Sequence, residues 1–182
     1  MKKIVLTFGL LSGLVLSAML LLTLPFMERI GDAGMLLGYT TMVVASLLIY
    51  FGVRAYRDNV GGGSVTFGRA LAVGALIALV QGLCYTATWE VYYFTARPDI
   101  LGRYHARQIE GMRERGATQA QIDAKVADQR HWAELYENPV INSGMTLMEP
   151  LPVGLLFALV SAGLLSRRRA RDPNAALSRS AA

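Results

Sequence analysis

Four apolar blocks, each long enough to cross a lipid bilayer, constrain this chain more than anything else in it: residues 4–24, 35–53, 70–94 and 140–165. A hydrocarbon core about 30 Å thick needs roughly 20 residues of helix at about 1.5 Å each. Inside lipid every backbone N–H and C=O must be bonded internally, which leaves helices or closed barrels. Barrel strands are short and alternate in polarity, whereas these blocks are continuous, so they read as helices. Composition fits. Hydrophobic residues make up 53% and charged ones 17%, against about 45–50% and about 25% in soluble domains.

The first block follows Lys2 and Lys3, as a signal peptide would. Signal cores run about 7–15 residues and this one runs about 21. The one passable cleavage site, after Ala18, has Leu16 where a small residue is preferred. The sequence therefore predicts an uncleaved span. Pro25 ends it, and Glu28, Arg29 and Asp32 form a short polar turn.

Net charge is +5 and the isoelectric point is near 9.6. The placement of the basic residues explains it without nucleic acid. Lys2, Lys3, Arg54, Arg57, Arg167, Arg168, Arg169 and Arg171 all abut apolar blocks, and basic residues flanking spans orient a membrane protein. No basic stripe interleaved with aromatics suggests nucleic-acid binding. Four spans place the N-terminus, the loop around residues 54–69 and the tail at 166–182 on the basic side. The sequence thus predicts both termini in the cytoplasm of a bacterial inner membrane. The glycines at 61–63 lack the strand and the Gly-Lys-Ser/Thr of a phosphate loop and read as a linker.

Residues 97–137 form the sizeable polar segment, beyond Pro98. Gly116 divides it, and Thr118 with Gln121 makes a capping box. Ile122, Val126, Gln129, Ala133 and Tyr136 then follow a helical period, with Trp132 alongside; Leu101, Tyr104 and Met112 do so before Gly116. Asn138-Pro139 is a helix start. The predicted architecture is all-α: a four-helix membrane bundle with an extracytoplasmic helical hairpin between spans three and four.

Candidate chemistry is confined to a few polar groups in the spans. Glu90 and Glu149 are carboxylates in apolar blocks, costly there and functional candidates by default. Gln81, Asn142 and Tyr85 could complete a site with them. The bland reading makes Glu90 an interfacial group reaching water. Pro150 and Pro152 each remove a backbone bond, which would free the carbonyls of Thr146 and Met148 and kink span four with Glu149 turned into the bundle. A kink with free carbonyls beside a carboxylate suits a cation or proton, or is only a bend. Small residues repeat every four positions: Gly9, Gly13 and Ser17; Ala70, Gly74, Ala78 and Gly82; Gly154, Ala158 and Ala162. Such faces let helices approach closely, within one chain or between two.

His105 and His131 are isolated, so no metal site is expected. The single cysteine, Cys84, lies in a block and reads as a packing residue. No cofactor motif and no nucleophile–base set is visible.

The stretch from Gly116 through Ile122, the Asn138-Pro139 start, and Glu149-Pro150-Leu151-Pro152-Val153-Gly154-Leu155 together resemble a bacterial domain-of-unknown-function family, the one numbered forty-one ninety-nine. The resemblance covers about Lys2 to Arg169. It implies a small four-span protein with a polar segment before the last span, and it implies no activity. The resulting expectation is a non-enzymatic structural or interaction protein of the bilayer, acting on its own copies or on a membrane-protein partner. The alternative is a small transporter or ion-binding protein centred on Glu149.

Overall fold

The computed structural model describes residues 1–26, 33–96 and 99–166. The polar turn at Glu28, Arg29 and Asp32, Pro98, and the basic tail from Arg167 lie outside the described residues. Seven α-helices are seen among those described: α1 (Lys2–Thr23), α2 (Ala33–Asn59), α3 (Phe67–Ala96), α4 (Asp99–Glu114), α5 (Gln119–Tyr136), α6 (Pro139–Leu147) and α7 (Pro150–Leu165). No strand occurs among them. Four stretches are long and apolar enough to cross a membrane: Lys2–Phe26, Leu36–Asn59, Phe67–Thr95 and Pro139–Leu165, the last formed by α6 and α7 in series.

Close approaches fix the packing. Gly9 faces Val80 and Gly13 faces Cys84, so α1 and α3 run parallel. Gly74 meets Ala158 and Gly154 meets Ala78, so α3 and α7 run antiparallel. A Cβ added to Gly74 would stand 2.8 Å from Ala158 Cβ and 3.0 Å from its Cα, a fit that only glycine permits. The small-residue stripes are therefore used up inside one chain. The end of the bundle where α1 begins is called the near end below, and the end where α3 finishes is the far end.

Val5, Ile49, Val53, Val73 and Ile77 make the core of the near half, closed by Ala70, Ala158 and Ala162. The outward faces are apolar too. Leu6, Leu10 and Leu14 on α1, Val43, Leu47 and Phe51 on α2, Leu76, Leu79 and Leu83 on α3, and Leu155 and Leu159 on α7 are all exposed. Only 28–50% of the most apolar stretch of each span is buried by the protein. In water such a surface would drive association; in hydrocarbon it is the compatible one. This is a membrane protein.

Between spans three and four the chain builds α4 and α5. Gly116 at φ +76° turns the chain, and the capping box closes as the sequence predicts: Gln121 N–H donates to Thr118 Oγ1 and Thr118 N–H donates to Gln121 Oε1 at 2.8 Å. Ile109 and Ile122 are buried between the two helices, and Gln129 donates to Gln108 at 3.2 Å. The expected apolar stripe of α5 holds only in part. Val126 and Ala133 are exposed, because α5 leaves that face open instead of packing it on α4.

Candidate functional site

Span four breaks at Met148–Glu149, as two prolines require. Asn138 caps α6, its Oδ1 accepting from the Val140 N–H at 3.0 Å and the Ile141 N–H at 3.4 Å. Pro150, with no N–H and a fixed φ, opens α7. One detail differs from the sequence expectation. The Thr146 carbonyl is not left free by Pro150; it accepts the Glu149 N–H at 3.3 Å. A tight turn takes up the bond that the proline cannot make.

The four intramembrane candidates do not form one cluster. Gln81 is buried and donates to Ser46 Oγ at 3.3 Å, tying α3 to α2. Glu90 is half-buried, with Oε1 enclosed and unpartnered in the described structure. Nine residues separate the two, which is about two and a half helical turns, so they stand on opposite sides of α3. Asn142 is fully buried: it accepts from Trp89 Nε1 at 2.9 Å and from Thr146 at 3.3 Å, and donates to the Tyr136 carbonyl at 3.1 Å. Glu149 accepts from the Tyr85 hydroxyl at 3.0 Å. Of the companions expected for Glu149, the structure supplies Tyr85.

Glu149 also borders a feature that single-residue reasoning misses. A groove of about 940 Å³ runs between the far end of the bundle and the α4–α5 pair. One wall is aromatic: Trp89 and Tyr93 on α3 lie 5.8 Å apart by ring centroids, and Tyr93 lies 6.3 Å from Tyr136. Phe94 and Met145 continue it, and Trp132 faces it from α5. The polar lining comprises Glu149, Glu137, His105, Gln108, Gln129, Lys125 and Asp128. The available signal in the sequence was the gathering of Trp and Tyr at both ends of the polar segment; their convergence needs the fold.

The groove charges are unevenly matched. Lys125 bonds Asp128 at 3.1 Å, and Trp132 Nε1 donates to the same carboxylate at 2.9 Å. The Lys125 bond, and then Trp132, hold Asp128 below the usual carboxylate range. Burial, and then Lys125, push His105 down toward its neutral form. Burial, and then the nearby Glu149 carboxylate, push the Tyr136 phenol up. Glu137 and Glu149 have no basic side chain within ion-pair distance among the described residues. Nor do three of His, Cys, Asp or Glu come together there as metal ligands.

Residues 7–167 match the family described as Protein of unknown function (DUF4199). The chain belongs to that family. A DUF4199 member with four helical stretches long and apolar enough to span a membrane thus carries a groove with an aromatic wall beside the last of them. No curated protein and no solved structure matches the chain.

Proposed function

We propose that this DUF4199 protein is a non-enzymatic binding protein of the bacterial inner membrane. Its recognition element is the groove covered by α4 and α5. The observation that carries the reading is the groove itself: a concave space with one aromatic wall and convergent polar groups, set at the ends of α3 and α6, has the form of a binding site. In this reading both termini are cytoplasmic and the helix pair is outside. Lys2, Lys3, Arg54, Arg57 and Arg69 crowd the near end, which favours that orientation. A transporter centred on Glu149 would need a polar route onward, and the near half is filled by Ile49, Val53, Val73 and Ile77, all fully buried.

A photo-crosslinking residue at Ala133, on the groove, is expected to give discrete adducts in cells; one at Leu155, on the lipid face, should give lipid alone. Deleting residues 103–136 removes Ala133 itself, so Met145 on α6, which also lines the groove, serves as the second position. Adducts at Met145 that survive the deletion unchanged would sink the reading. The orientation is checked in a Cys84→Ala background. Ala120→Cys should react with an impermeant thiol reagent added from outside, and Ser64→Cys should not.

A further inference from the structure

We infer that the groove takes an organic ammonium ion with an apolar or aromatic body. This rests on the binding reading above and names the class of ligand. Trp89, Tyr93, Tyr136 and Trp132 line one space, and a cation over the face of such rings is attracted by their quadrupoles, most strongly where water is thin. Glu149 and Glu137 border the same space and have no basic partner within ion-pair distance among the described residues. The groove's own lysine, Lys125, is already bonded to Asp128. An anion would meet two carboxylates there, and a neutral ligand would leave their field unused. A volume of about 940 Å³ is at the upper end of small-molecule sites, roughly 300–1,000 Å³, and too small to seat a folded partner. Phe94 and Met145 offer an apolar wall for the body of the ligand.

The chain's two tryptophans, Trp89 and Trp132, both line this groove, so intrinsic fluorescence reports on it alone. The full chain in uncharged maltoside micelles is titrated with benzyltrimethylammonium chloride, with sodium chloride as the ionic control. Phenylpropanol and phenylpropionate serve as neutral and anionic counterparts. The expected result is a saturable tryptophan change with the ammonium, and none with either counterpart over the same range. Glu149→Gln, which also removes the acceptor of the Tyr85 hydroxyl, should weaken ammonium binding about tenfold, and Glu137→Gln about threefold. Should the first variant aggregate on losing the Tyr85 bond, the second carries the test, because Glu137 is exposed. No saturation with the ammonium, equal binding of phenylpropanol, or unchanged affinity in the folded carboxylate variants overturns the inference. If that happens while groove adducts at Ala133 still form, the binding reading stands and only the ligand class falls.

Discussion

In the near half of the bundle, Ile49, Val53, Val73 and Ile77 close against Ala70, Ala158 and Ala162. In the far half, Tyr85 donates to Glu149 and Trp89 to Asn142 at the edge of an open groove. The same helix, α3, runs through both. Below about Ala78 it is held by shape, because helices in lipid gain little from the hydrophobic effect and rely on close contact. Above it, the helix is held by specific polar partners and leaves room for something else. The near half should therefore resist added volume and ignore lost polarity, and the far half should do the reverse.

The largest expected effect breaks the near half. Gly74→Leu has to push α7 away from α3, since even a Cβ would meet the Ala158 backbone carbon at 3.0 Å. Overpacking of this kind costs about 3 kcal/mol or more. Thermal unfolding in detergent should fall steeply or the protein should aggregate; a native-like midpoint would refute the tight-interface account. In the far half, Asn142→Ala removes three hydrogen bonds while adding no volume. Interhelical bonds in membranes are individually modest, so a loss of about 1–2 kcal/mol is expected, with a shift in Trp89 emission as its indole N–H loses its acceptor. An unshifted spectrum would mean that the Trp89–Asn142 bond does not organise the groove.

Gly144→Ala sharpens the contrast. Nothing lies within 4 Å of an added Cβ there, and alanine favours helix over glycine, so α6 should gain about 0.5 kcal/mol or stay unchanged. A clear loss would show that the far half is packed after all. The smallest effect concerns His105, which burial and Lys125 hold below its ordinary value of 6.5. Between the folded and unfolded values the folded form binds fewer protons. Its contribution to stability is thus complete above about pH 6.5 and is lost as pH falls through the folded value. Melting midpoints of the wild type should drop more between about pH 7 and 5 than those of His105→Gln; parallel slopes would remove His105 from the account.

How much of this could be read from residues alone follows the same division. The spans, the small-residue stripes, the Thr118–Gln121 capping box and the Asn138-Pro139 start were all legible, because each depends on local chemistry or on spacing along one helix. The candidate site was legible only as a set of names. Gln81 and Glu90 are close in sequence and lie on opposite sides of α3; Glu149 and Tyr85 are 64 residues apart and share a hydrogen bond. Val126 and Ala133 keep a helical period yet stay exposed, Ala133 at the groove, since periodicity says which residues share a face and not whether anything covers it. The groove exists only because α3, α4, α5 and α6 converge, and no single segment records that.

The break in span four has a consequence for where such a joint can sit. A helix that starts in hydrocarbon normally exposes several N–H groups with nothing to bond, each costing several kcal/mol. Here the Met148 and Glu149 N–H groups are taken by carbonyls of the preceding turn. Pro150 and Pro152 carry none. Of the first three residues of α7, Leu151 alone carries an N–H. Two residues usually described as helix breakers thus make the broken end nearly donor-free, and the hinge can stand at that depth without a chain of water molecules to support it.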